Sequence, residues 1–247
     1  MILTGWRVGE THWGGYAERA RVKADWLVPL PAGATTRWAM VLGTAGLTAM
    51  LAVNRLEAAG IRPDSGAVLV TGAAGGVGSI ALGLLSRLGY KATALSGRPE
   101  HRAVLEGRGA GEVIARDAFL NEPDKSLESA RWAGAIDSVG GAVLGKLLRQ
   151  VNYGGAVAAL GNAAGMEFNT SVLPFILRGV SLLGVESVMQ PFAARVEAWG
   201  RLVELFDAES YEALIEEMSL EDLPKAAEEI LAGQILGRRI VRVSEGW

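Results

Sequence analysis

The chain has 247 residues, half of them apolar, with 33 glycines and a formal net charge of −3. That suffices for one large α/β domain, or a nucleotide domain with a smaller attachment, and gives no general pull toward nucleic acid or anionic membrane. With no cysteine and only two histidines, His12 and His101, disulfides, thiolate chemistry and a four-cysteine zinc site are excluded, and no metal is expected.

Residues 1–33 hold short β-like runs at Met1–Thr4, Gly15–Val22 and Trp26–Pro31, punctuated by Gly14-Gly15 and Pro31-Ala32-Gly33. From Thr44 the pattern becomes alternating strand and helix. A helix is predicted over Ala45–Ala59, ending at Gly60, and buried strands over Ala67–Val70, Lys91–Leu95, Glu112–Ala115, Gly134–Asp137 and Ala156–Leu160. Leu144, Leu147, Leu148 and Val151 mark one helical face, Ser181–Val185 a sixth strand, and Trp199, Leu202, Val203 and Phe206 another helical stripe. Met218-Ser219-Leu220, a helix near Leu223–Ala232 and a strand at Arg239–Val243 complete the chain. Repeated βα units imply a Rossmann-type, doubly wound parallel sheet. The last elements read as a return to the small β-domain that opens the chain. No basic segment leads into an apolar one at the start, and the apolar stretches are broken before the roughly 20 residues that a span requires, so a cytoplasmic protein is expected.

The most informative stretch runs from Ala67 to Arg98. A buried strand enters Thr71-Gly72-Ala73-Ala74-Gly75-Gly76-Val77-Gly78, and an apolar helix follows as far as Leu88, closed by Gly89. Glycines there let backbone approach a pyrophosphate, and the helix N-terminus supplies unpaired N–H groups and about half a positive charge. About twenty residues further on stands Ser96-Gly97-Arg98, where an NAD-binding unit places an acidic residue for the ribose hydroxyl. Arg98 can fork onto a ribose 2′-phosphate and Ser96 can donate to it, so the pattern points to NADP(H). Trp6, Trp13 and Trp26 read as packing residues, and His12 has no evident partner for proton donation. Glu122, Asp124 and Glu128, and the pair Glu216-Glu217, read as solvated surface.

With those residues in place, the chain resembles the zinc-independent medium-chain dehydrogenase/reductase superfamily, in its acryloyl-CoA reductase branch, whose members are often labelled quinone oxidoreductases. The resemblance is carried by Leu3–Glu10, Trp13–Ala17, Gly43–Met50, Trp132–Asp137, Pro174–Val180 and Gly184–Pro191. It implies a GroES-like β-domain paired with a Rossmann domain, the active cleft lying between them. The expected division is residues 1–40 as a remnant of the GroES-like domain, 41–210 as the NADP-binding domain and 211–247 as the return to the first. Most of the GroES-like domain would precede the segment that matches Met1.

The resemblance also implies the activity: NADPH-dependent hydride transfer to the β-carbon of an α,β-unsaturated acyl-CoA thioester, with a proton added at the α-carbon. Quinone reduction, or NADPH binding without turnover, are the alternatives. By position, Ala74, Gly75, Gly76 and Val77 would hold the pyrophosphate, and Ser96, Gly97, Arg98 and Arg116 the adenosine phosphate. Asn162 and Ile176 would lie near the nicotinamide half, joined by Ser187, Arg238 and Thr44. Asn162 stands where the family commonly has Leu. No catalytic proton donor is assigned. A homodimer through the edge strand 181–185 is implied as well, and neither nucleic acid nor membrane is an expected partner.

Overall fold

A computed structural model describes residues 1–123 and 125–244; Asp124, expected in a solvated loop, lies outside the described residues, as do 245–247. The chain divides into two compact units, one of Thr48–Val185 and one of Met1–Leu47 with Glu186–Trp247.

The first unit is built on six parallel strands: β1 (Ala67–Thr71), β2 (Lys91–Ser96), β3 (Ala110–Ala115), β4 (Trp132–Asp137), β5 (Val151–Ala159) and β6 (Ser181–Gly184), in the order β3-β2-β1-β4-β5-β6. The expected doubly wound sheet is what the chain forms. All six residues of β4 are buried, as a central parallel strand covered on both faces must be. The helices are α1 (Thr36–Ala58), α2 (Gly76–Arg87), α3 (Arg102–Gly107), α4 (Arg116–Asn121), α5 (Gly141–Arg149) and α6 (Leu173–Arg178), with the division between units falling inside α1. Leu144, Leu147 and Leu148 of α5 enter a core with Leu69, Phe119, Trp132 and Val157. Val151 joins the same core from β5 rather than from the helix, because Gln150 already closes the last turn.

Two expectations change in this unit. Glu128 is buried, not solvated: Lys146 Nζ lies 3.2 Å from Glu128 Oε1, and Gln150 Nε2 donates to Glu128 Oε2 at 2.7 Å. A carboxylate so buried requires partners of this kind, and sequence spacing does not reveal them. Helix α1, moreover, is 23 residues long and apolar enough by length and composition to cross a membrane. Gly43 bends it, with φ 49° and ψ −147°, and 72% of its apolar window is buried in the protein. It is therefore a core helix, bent at a backbone conformation that favours glycine.

In the second unit, α7 (Phe192–Leu205) and α8 (Ala208–Tyr211) precede β7 (Ile215–Ser219), which pairs in parallel with β8 (Arg238–Arg242) across α9 (Leu223–Leu231). Trp38 packs on Trp199 and Phe206, with ring centroids 5.9 and 6.4 Å apart. The front of the chain is less regular than its composition suggests. Met1–Thr4 and Trp26–Pro31 meet only in the bridge Ile2–Val28, and Gly15–Val22 forms no strand among the described residues. An extended run needs a neighbour for its backbone groups, and this one carries exposed Glu18, Arg19 and Arg21. Glu216 and Glu217 are exposed as expected and also ion-paired, to Arg239 at 2.7 Å and to Arg37 at 2.6 Å.

Candidate nucleotide site

The glycine turn leaves β1 at Gly72, whose φ is +60°, and enters α2 at Gly76. A β-carbon at Gly72 would collide with Ser138 Oγ, and one at Gly78 with the Gly72 carbonyl and the Ala73 backbone. Both glycines are thus needed for close packing as well as for turning. Gly75 forms the N-cap without a side-chain cap, and its carbonyl accepts from Ser79 N at 3.0 Å and Ser79 Oγ at 2.7 Å. The first-turn N–H groups of Gly76, Val77 and Gly78 precede that first helical bond, so they face outward as an anion cradle. Ala74 is buried, and Gly75, Gly76 and Val77 are half-buried at the mouth of the turn.

At the C-terminal end of β2, Ser96 is buried, and its Oγ accepts from Arg98 N at 3.0 Å. This local bond folds the chain back and sets the direction of the half-buried Arg98, whose Nη2 reaches the Ala74 carbonyl at 3.4 Å. A β-carbon on exposed Gly97 would sit 3.1 Å from the Arg116 guanidinium. Two guanidiniums therefore converge here, one against the glycine turn and one against Gly97. Arg116 Nε lies 3.4 Å from the carboxylate of its neighbour Asp117.

Asn162 is exposed on a loop that packs against the end of β4: Ala164 N donates to Val139 O at 2.8 Å, and a β-carbon on Gly140 would lie 3.2 Å from Asn162 Cα. Ile176 projects from α6, 69% exposed. These ten residues, Ala74–Val77, Ser96–Arg98, Arg116, Asn162 and Ile176, belong to one unit. Thr44, Ser187 and Arg238 belong to the other, where Thr44 and Arg238 line a cavity of about 340 Å³ with Met1, Leu30 and Met40. Arg238 Nε donates to Val41 O at 2.8 Å at the bend of α1, and burial pulls its pKa below the usual guanidinium value.

Two groups that sequence reasoning did not single out shape these segments. Asp137 is fully buried at the end of β4, accepting from Thr71 Oγ1 at 2.6 Å and Gly140 N at 2.9 Å; burial pushes its carboxyl up, against the effect of those bonds. Arg195 is buried, and its guanidinium donates to the carbonyls of Thr4, Ser187, Val188 and Gln190 at 2.7–3.1 Å while stacking 4.9 Å from the Trp6 ring. It fastens Ser187 to the segment 4–6. Trp6 stacks on Trp26 and His12 meets Trp26 edge-on, whereas Trp13 is 87% exposed. The one hint of Asp137 in the sequence is a carboxylate directly after an unbroken apolar run.

Residues 76–207 match the family model described as zinc-binding dehydrogenase. The acrylyl-CoA reductase AcuI of Ruegeria pomeroyi is 52% identical over 244 residues, 99% of this chain and 74% of that protein. The chain belongs to the medium-chain dehydrogenase/reductase superfamily, in its zinc-independent branch. The yhdH oxidoreductase of Salmonella enterica, solved in complex with NADP, is 55% identical with a TM-score of 0.95, covering 98% of this chain and 74% of that one. The yhfP protein of Bacillus subtilis, solved with NAD bound, is 45% identical with a TM-score of 0.93 over 97% and 73% of the two chains. A 44% identical relative from the same organism, YhfP, covering 98% of this chain and 74% of that one, is named provisionally as a quinone oxidoreductase. The family description mentions zinc, and the donor set does not fit it. There is no cysteine, and the described residues hold no group of three or more His, Cys, Asp or Glu side chains. This superfamily member does have a donor set that fits a phosphorylated dinucleotide: a glycine cradle, uncapped first-turn amides and two guanidiniums.

Proposed function

We propose that the chain is an NADPH-dependent reductase of an α,β-unsaturated acyl-CoA thioester of the acryloyl-CoA kind. The observation that carries the cofactor choice is the convergence of Arg98 and Arg116 on Ser96-Gly97 at the end of β2. The thioester comes from the 52% identity to a protein named acrylyl-CoA reductase.

The chemistry supplied by NADPH when bound is hydride donation to the β-carbon of the thioester. The chain's own residues bind and orient. The amides of Gly76, Val77 and Gly78, with Ala74 and Gly75, hold the pyrophosphate, and Ser96, Gly97, Arg98 and Arg116 hold the 2′-phosphate. Asn162 and Ile176 are assigned to the nicotinamide half within their own unit, and Thr44, Ser187 and Arg238, in the other unit, are further candidates on the family resemblance alone. Arg238 is suited to an anion or a polarised carbonyl, because its charge is desolvated and, among the described residues, Tyr211 and Tyr16 are the groups that act on it.

Stopped-flow NADPH oxidation with acryloyl-CoA, then with a quinone, tests this reading. Oxidation with the thioester is expected. Oxidation with quinone alone would move the assignment to the activity named for YhfP, and NADPH binding without oxidation of either would make the chain a non-catalytic NADPH-binding unit.

A cytoplasmic location and a homodimer are part of the same reading. Ser181–Gly184 forms the edge of the sheet, with Leu182 37% exposed, and an open edge invites isologous pairing with a second copy. A monomeric mass by light scattering would refute the dimer.

A further inference from the structure

The sheet order reverses between β1 and β4, and in doubly wound sheets ligands bind outside the carboxyl ends of the strands at such a switch point. Here those two strand ends are tied to each other by side chains. Thr71, the last residue of β1, donates its hydroxyl to Asp137 Oδ1 at 2.6 Å, and the same Oγ1 accepts from Ser138 N at 3.1 Å. Ser138 Oγ returns a bond to Thr71 O at 3.0 Å. The second carboxylate oxygen, Oδ2, accepts from Gly140 N at 2.9 Å.

Each end of this tie leads into a different part of the nucleotide site. Thr71 is followed directly by Gly72 and the pyrophosphate turn. Asp137 is followed by Ser138-Val139-Gly140-Gly141, on which the loop carrying Asn162 is laid. Leu160 N donates to Asp137 O at 2.9 Å, Ala164 N to Val139 O at 2.8 Å, and Gly140 bridges to Gly165. Space is so tight that a β-carbon on Gly140 would sit 2.6 Å from Gly165 O, and one on Gly161 would strike the Ser138 carbonyl. Gly140 and Gly141 hold φ of +68° and +54°, so the Asp137–Gly140 bond fixes a backbone that would otherwise have several conformations.

The geometry points to Asp137 as a positioning residue that, through Thr71 and Gly140, sets the pyrophosphate turn and the Asn162 loop at the spacing one dinucleotide needs. The inference rests on the NADPH reading above. Asp137 touches no ligand in this role; it acts through the two backbone segments that do. The 2′-phosphate end, carried by β2, lies outside the tie.

The test is NADPH titration of the full chain by nicotinamide fluorescence, with adenosine 2′-monophosphate, which lacks the pyrophosphate, as a probe of the 2′-phosphate end alone. Asp137→Asn keeps one carbonyl oxygen for Gly140 N but sets its NH2 against Thr71 Oγ1, which already accepts from Ser138 N, so the Thr71 hydroxyl loses its carboxylate acceptor and the tie is weakened. The substitution is expected to raise the NADPH Kd by about tenfold and to diminish the fluorescence of bound nicotinamide, while the Kd for adenosine 2′-monophosphate stays within about twofold. Thr71→Val should reproduce the loss and Thr71→Ser, which keeps the hydroxyl, should restore binding; this pair decides the matter should Asp137→Asn not fold. NADPH binding unchanged in both Asp137→Asn and Thr71→Val, or NADPH and adenosine 2′-monophosphate weakened equally, would overturn the positioning role. Failure of the unsubstituted chain to bind NADPH would instead overturn the cofactor reading beneath it.

Discussion

Arg98→Ala is the sharpest probe of cofactor choice. The guanidinium is half-buried, and its Nη2 lies 3.4 Å from the Ala74 carbonyl at the glycine turn. On the proposed assignment, what the substitution removes is a charge-assisted contact to a dianionic phosphate. Such a bond contributes about 1.5–3 kcal/mol, which at about 1.4 kcal/mol per decade is a rise in NADPH Kd of roughly 10- to 150-fold. Arg116, beside Gly97, retains part of the attraction, which favours the lower half of that range for the single variant; Arg98→Ala with Arg116→Ala should reach the upper half. NADH lacks the 2′-phosphate and should bind either variant nearly as it binds the unsubstituted chain. Fluorescence titrations with both cofactors at one fixed ionic strength give the comparison, since exposed charge pairs are screened by salt. Equal weakening of NADPH and NADH would refute the assignment. NADH is a necessary control, because a 45% identical structure was solved with NAD.

Lys146→Met leaves Glu128 buried with Gln150 as its remaining side-chain donor at 2.7 Å, and an uncompensated buried charge costs about 3–5 kcal/mol. At about 2–4 °C per kcal/mol the midpoint should fall by roughly 6–20 °C; a change below about 2 °C in a thermal melt would contradict the burial argument. Gly78→Ala should abolish NADPH binding, because its β-carbon strikes the Gly72 carbonyl and the Ala73 backbone, whereas Gly107→Ala in α3 meets nothing within 4 Å and should leave binding intact. The two titrations run side by side check this. Because burial raises the Asp137 carboxyl pKa above its ordinary value of 3.8, the folded state holds that proton more tightly than the unfolded chain. The stabilisation is full below the ordinary value and is lost as pH rises through the raised one. Asp137→Asn should therefore gain on the unsubstituted chain in urea melts as pH climbs through that window; a pH-independent difference would refute the shift.

Much of the nucleotide unit was legible because its signals are local. Buried parallel strands are continuous apolar runs, and Gly72 and Gly78 stand where any side chain would strike backbone or a neighbouring hydroxyl. Ser96-Gly97-Arg98 follows at the distance that one βα unit requires. The front of the chain was less legible, since the β-like composition of Gly15–Val22 does not supply the neighbouring edge that a strand needs. Glu128 misled for a related reason: charge in a polar loop reads as solvated until Lys146 and Gln150 are seen to cover it.

By itself the sequence determined the alternation of strand and helix, the glycine turn after the first strand and the preference for NADP(H), all of which follow from residues within about thirty positions of one another. Only the tertiary structure decided what joins Thr71 to Asp137, Thr4 to Ser187 through Arg195, and Lys146 to Glu128. Those pairings form because burial forces each polar group to find a partner wherever the fold brings one. That need leaves no periodic trace in a linear sequence.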